Sequence, residues 1–152
     1  LAAAAFLGGQ SRLKAAPFDL PLEANIQMKY LLLTYLDEEA WLSLSEAERQ
    51  RIMTEPIPHV EQLIASGKFL GGAPLHPTSE ASTVCVREGK RVITDGPFAE
   101  TREQVGGYTL IEAKDRDEAI AIAADFLGPS AEAIRVIIEI RAVAEAPVVP
   151  TH

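Results

Sequence analysis

The residues best equipped for chemistry gather in one segment, Asp95-Gly96-Pro97-Phe98-Ala99-Glu100-Thr101-Arg102-Glu103. Gly-Pro makes a sharp bend, and Phe98 is suited to anchor that bend in apolar surroundings. Asp95, Glu100 and Glu103 stand around it. Paired carboxylates serve as general acid and base when burial separates their pKa values. The same acids also accept hydrogen bonds that cap turns and fix loops, and residue types alone favour that structural role. His59 is the second candidate, placed in the first turns of a helix beside Val60. The positive end of a helix dipole favours a neutral imidazole, and a neutral imidazole oriented by a carboxylate is a competent base. Taken alone, a histidine at a helix edge is more often structural.

Other chemistries find little support. His76 lies beside Pro77, where solvent exposure is expected, and His152 is terminal; three histidines so dispersed make no metal motif. The single cysteine, Cys85, excludes an intrachain disulfide and cysteine-spaced zinc sites, and its place between Val84 and Val86 reads as a small buried thiol. Gly71-Gly72 and Gly106-Gly107 are isolated pairs, better read as bulges or close backbone approaches than as a phosphate cradle. Ser43, Ser45 and Ser82 lack a nucleophile elbow. Neither a metal nor a cofactor is therefore expected. Net charge is −8, from 22 acidic and 14 basic residues, and no basic cluster stands out, so nucleic acid and anionic membranes are not expected partners. No apolar run approaches the roughly 20 residues that span a bilayer. A cytoplasmic protein acting on a small organic molecule is the expectation.

The elements that must position these residues begin at Met28. Residues 1–27 mix an alanine run with glycine and proline and carry no sustained period, so they read as an extension outside the core, with Met28 a candidate natural start. Lys29 to Tyr35 is a buried strand by its unbroken apolar character. Ser45 and Glu48 form a capping box ahead of a helix over Ala47 to Met53. Pro56 and Pro58 forbid its continuation but suit a fresh helix starting near Glu55, whose stripe is Ile57, Val60 and Ile64 and whose end is Gly67. Lys68 to Leu75 is a second strand. Thr83 to Arg87 and Arg91 to Thr94 flank Glu88-Gly89-Lys90 as a hairpin. Gly107 to Ala113 is a strand, Arg116 to Leu127 a helix capped by Asp115 and stopped by Gly128-Pro129, and Ala133 to Val143 a closing strand. Residues 144–152 are a Pro-rich tail.

Two βαβ-like halves with antiparallel strands between them make an α+β, ferredoxin-like layer with helices on one sheet face. The strands are apolar at both parities, as in Leu31-Leu32-Leu33 and Val136-Ile137-Ile138. The second face therefore needs a cover, and a homodimer packed sheet to sheet would supply it; the alternative cover is the 1–27 arm.

The segments Met28-Lys29-Tyr30-Leu31-Leu32-Leu33, Pro58-His59, Ser66-Gly67-Lys68-Phe69-Leu70 and Thr94-Asp95-Gly96-Pro97-Phe98-Ala99-Glu100-Thr101, followed by Glu103 and Gly106-Gly107-Tyr108, closely resemble the DGPF branch of the YCII-related proteins. The resemblance covers about Met28 to Val143 and leaves residues 1–27 outside. It implies a dimeric α+β barrel whose two sheets enclose clefts, with a histidine–aspartate site onto which His59 maps well and Asp95 less firmly. It also implies company with extracytoplasmic-function sigma factors. Two functions follow as expectations. One is a cofactor-independent, isomerase- or lyase-like enzyme with His59 as base, Asp95 holding its tautomer, and Glu100, Glu103, Phe98 and Pro97 contacting substrate. The other is a non-catalytic ligand- or partner-binding dimer, regulatory beside a sigma factor. A third reading, a haem-dependent monooxygenase of the same barrel superfamily, requires an imidazole facing a porphyrin-sized cavity.

Overall fold

A computed structural model describes residues 27–145; the expected N-terminal arm and the Pro-rich tail fall, apart from their innermost residues, outside the described part. Six strands and four helices follow in the order β1 (Met28–Asp37), α1 (Glu38–Ser43), α2 (Glu46–Thr54), α3 (Ile57–Ala65), β2 (Phe69–Pro74), β3 (Ser82–Arg87), β4 (Lys90–Asp95), β5 (Glu103–Ala113), α4 (Arg116–Asp125) and β6 (Ile137–Ala142). The main sheet has four strands in the order β2-β5-β1-β6, every neighbouring pair antiparallel. That is the ferredoxin-like arrangement expected from the element order. The β3–β4 hairpin forms a separate two-stranded sheet inserted between β2 and β5.

Alternation along β1 divides the sheet into two faces. Tyr30 and Leu32 turn inward with Ile111 and Ala113 of β5, against Ala119 and Ala123 of α4 and Leu63 of α3. Small alanines let α4 lie close on the sheet, so this half of the face is densely filled. Leu31, Leu33 and Tyr35 point to the opposite face, where none of the described helices lies, and stay only half-buried. The Tyr35 hydroxyl there donates to Glu139 Oε2 at 3.1 Å, and Arg141 Nη1 lies 3.1 Å from Glu139 Oε1.

Local signals set most element boundaries. Ser45 and Glu48 form the expected reciprocal cap. Asp115 accepts from the Glu118 backbone N–H at 2.8 Å, and Gly67, at φ +71°, closes the α3 end. The glycine pairs mark irregular registers. Gly106 is skipped between the Thr34–Gly107 and Tyr35–Val105 partners, and a Cβ on it would come within 2.7 Å of Leu36 Cδ2.

Four expectations are corrected. The closing strand starts at Ile137 rather than Ala133, because Arg135 adopts φ +52° and the Val136 N–H turns back to Ala131 O at 2.7 Å. Ile134 is buried all the same, as part of a turn. Helix α1 has no counterpart in the expected elements; Asp37 caps it by accepting from the Ala40 N–H at 3.1 Å. On α3 the buried residue is Leu63, while Ile57 and Ile64 are exposed; Ile57 and Val60 line an open cavity between the sheet and the helices instead of joining the core. Finally, the Cys85 thiol is half-buried rather than buried, since the hairpin that carries it is not covered on both faces.

Candidate functional site

The inward face of the sheet is not filled along its whole length. Past Leu32, β1 continues with Thr34 and Leu36, and here the floor consists of small or glycine residues: Gly72 and Pro74 of β2 and Gly107 of β5. Glycine is dictated at Gly72, where a Cβ would come within 2.7 Å of Tyr108 O and so collide with the neighbouring strand's backbone. Helices α1 to α3 bridge over this shallow floor without filling it. The result is an open cavity of about 650 Å³, within the range of sites for small organic molecules. Its walls are apolar, with Trp41, Met53, Val60, Phe69, Phe126 and Ile138 among them. Carboxylates of Glu38, Glu46, Glu55 and Glu61, together with Arg49, give it a polar rim.

Two tethers hold the roof. Glu55, at the α2–α3 junction, accepts from Ser130 Oγ at 2.6 Å and from the Ser130 backbone N–H at 3.2 Å. Glu38, at the start of α1, accepts from the Thr78 N–H at 2.7 Å and from its hydroxyl, tying α1 to the segment after β2. The Gly-Pro bend reaches the same end of the sheet. Arg102 Nε donates to the buried Asp37 Oδ2 at 2.7 Å, and Gln104 of the cavity wall donates to Ala99 O at 2.9 Å and Thr101 O at 2.8 Å. The Ala40 N–H, first, and the Arg102 guanidinium hold the Asp37 carboxyl below its usual range.

The expected site residues are dispersed. His59 is half-buried in the first turn of α3 and lines a second, smaller cleft of about 260 Å³ against α4, shared with Lys68 and Asp125. Asp95 is exposed at the end of β4, opposite Ser82. Neither cavity is lined by both, so one chain does not bring the expected pair to a common wall. Glu103 is engaged by Arg135 Nε at 2.7 Å, while Glu100 and Pro97 are exposed. Phe98 is 90% exposed and does not anchor the bend; the hydrogen bonds of Gln104 and Arg102 do that instead. His76 is exposed, as expected, with Nδ1 3.6 Å from Glu80 Oε1, and it stands at the rim of the large cavity. Residue types alone missed Asp37, Arg102 and the Glu55–Ser130 tether. Asp37 was within reach, since an aspartate directly after an apolar strand and before Glu38-Glu39 is a helix-cap signal.

Among the described residues no group of three or more histidine, cysteine, aspartate or glutamate side chains is placed to hold a metal ion, and no helix is long and apolar enough to cross a membrane. Comparison with known proteins decides the kinship. The YCII-related domain model matches residues 28–145. This chain belongs to the YCII-related family. A relative, an uncharacterised protein of Rhizobium meliloti (strain 1021), is 37% identical over 98 residues, covering 64% of this chain and 79% of the relative. The family and its α+β fold are thus those expected from the motifs, and the relative's function is equally open.

Proposed function

We propose that this YCII-related protein works as a homodimer that holds a small, largely apolar organic molecule in the cavity between the sheet and helices α1 to α3. The observation that carries this reading is the unfilled space itself. A protein core is normally packed without voids larger than a water molecule. Here an open cleft of about 650 Å³ lies beside the filled part of the core, with the sheet as floor and hydrogen-bonded helices as roof. The homodimer reading rests on the open sheet face, where Tyr108 and Ile137 are exposed and Leu31 and Leu33 half-exposed.

Filling the cavity tests the proposal. Val60→Trp places a bulky ring in the space and is expected to abolish binding of apolar fragments such as 4-phenylbutanol, followed by the fluorescence of Trp41 or by chemical shifts of Val60 and Phe126 neighbours in the unsubstituted protein. Fragments that bind Val60→Trp as well as the unsubstituted protein would refute it.

The acid–base reading stands beside this one as a narrower proposal. It keeps His59 as base and Asp95 as the orienting acid, and it requires a second subunit to carry Asp95 to the α3 cleft, because Asp95 sits at the end of a hairpin that stands apart from α3. Glu100, Phe98 and Pro97, exposed on the same bend, would then face substrate from across the interface. Asp95→Asn and His59→Gln would each suppress turnover under this reading; turnover surviving both would eliminate it.

A further inference from the structure

We propose that the β3–β4 hairpin is an arm that packs on a second copy of this chain, an inference that rests on the homodimer reading and specifies what the partner receives. The hairpin pairs only with itself, and it makes no extensive packing against another helix or strand among the described residues. Its base is closed by the Gly96 N–H on Ala81 O at 2.7 Å and by Thr83 Oγ1 on Gly96 O at 2.8 Å, so its two strands leave the main fold as one unit. Alternation makes its two faces unequal. Cys85 and Val92, direct partners, are half-buried, whereas Val84, Val86 and Ile93 on the other face are 61%, 71% and 67% exposed. A lone two-stranded hairpin is marginally stable in water, and a row of bare β-branched side chains makes it an association surface.

Charge selects the occupant. The tip of the arm carries Arg87, Lys90 and Arg91 around Glu88-Gly89, and none of the three cations forms an ion pair among the described residues. Three cations within the five residues Arg87 to Arg91 form a small basic cluster that the sequence reading does not single out, and the turn holds it at one end. The chain as a whole carries −8, so a second copy offers the opposite charge. It also offers an apolar surface uncovered by the described residues, the open sheet face with Leu33, Tyr108 and Ile137. A polyanion such as nucleic acid would satisfy the cations but leave Val84, Val86 and Ile93 bare. Two-fold symmetry makes the exchange reciprocal, each protomer giving one arm and receiving one. Because Asp95 ends β4, the arm also carries that carboxylate toward the partner.

Zero-length carbodiimide cross-linking of the full chain, mixed from nitrogen-14 and nitrogen-15 preparations, tests the arm directly. Lys90 is expected to join aspartate or glutamate peptides of the other isotope. In sedimentation, Val84→Asp/Ile93→Asp and Arg87→Glu/Lys90→Glu/Arg91→Glu are each expected to raise the dimer dissociation constant by about tenfold or more (about 1.4 kcal/mol), with unchanged far-ultraviolet circular dichroism. A dimer indifferent to both variants, with Lys90 linked only within one isotope, overturns the arm while leaving the homodimer standing. A wild-type chain that stays monomeric overturns both, as does a monomer whose three cations instead hold a DNA oligonucleotide.

Discussion

Glu55→Ala tests whether the roof of the cavity is held by its hydrogen bonds or merely by chain connectivity. The Glu55 carboxylate is largely buried, at 15% exposure, and Ser130 is buried too. Its removal deletes the bond from Ser130 Oγ at 2.6 Å and the bond from the Ser130 N–H at 3.2 Å. Hydrogen bonds to a charged group contribute about 1.5–3 kcal/mol, and a buried N–H left without a partner costs about 1–3 kcal/mol. The ion pair with Arg51 adds little, because that arginine is 63% exposed and such pairs are worth about 0.3–0.5 kcal/mol. Since these contributions overlap, the expected loss is about 2–3 kcal/mol, or roughly 8–12 °C in midpoint for a domain of this size. Ser130→Ala alone should cost about 1 kcal/mol, and the double variant should fall short of additivity by about 1 kcal/mol. Urea titration with thermal melts provides the assay. A loss below about 0.5 kcal/mol, or strict additivity of the two substitutions, would show that the tether does not hold α2 and α3 in place.

Three further outcomes follow from the same contacts. The hydrogen bond of Lys68, first, and the Lys114 N–H depress the Glu118 carboxyl below its ordinary 4.5, and Ser45 does the same for Glu48. A depressed carboxylate contributes stability above its unfolded value and loses it as pH falls through the folded one, so urea midpoints should hold level down to about pH 5 and decline below it. Arg102→Gln removes the donor that the buried Asp37 Oδ2 accepts and should cost about 1 kcal/mol or more in urea titration; an unchanged midpoint would refute the anchoring of the bend by Asp37. Gly128→Ala puts a methyl group into Glu55 Oε2, so it should lower the midpoint in the unsubstituted protein and matter far less in Glu55→Ala; an equal loss in both backgrounds would show that the two residues do not meet.

What the residues disclose directly is what neighbours in sequence decide. The Ser45–Glu48 box, the Asp115 cap, the Gly67 stop and the apolar strand over Lys29 to Tyr35 each depend on a few adjacent side chains, and each is realised. The strand order follows as well, because two strand–helix–strand halves have few ways to share one antiparallel sheet. The expected start of β6 fails for an equally local reason. Ile134 and Val136 satisfy strand alternation, but Arg135 at positive φ bends the chain, and burial of Ile134 is achieved from a turn. Apolar periodicity reports which residues are buried more faithfully than it reports how the backbone buries them.

The site obeys a different logic. Asp37 meets Arg102 across 65 residues and Glu55 meets Ser130 across 75, so neither contact leaves a trace in spacing. The motif's acids drew notice because they crowd together in sequence, yet one of them is taken up by Arg135 and the others lie exposed on a bend. What the bend does within one chain is mechanical: Arg102 and Gln104 fasten it to the end of the sheet, beside the cavity mouth. That gives its composition a physical purpose before any chemistry is invoked. Gly96, at φ +93°, turns the chain out of β4, and Arg102 returns it to a buried carboxylate. Phe98, 90% exposed on that bend, takes no part in the anchoring. Within one chain the bend is thus held at the end of the sheet by the hydrogen bonds of Arg102 and Gln104, not by burial of its aromatic ring.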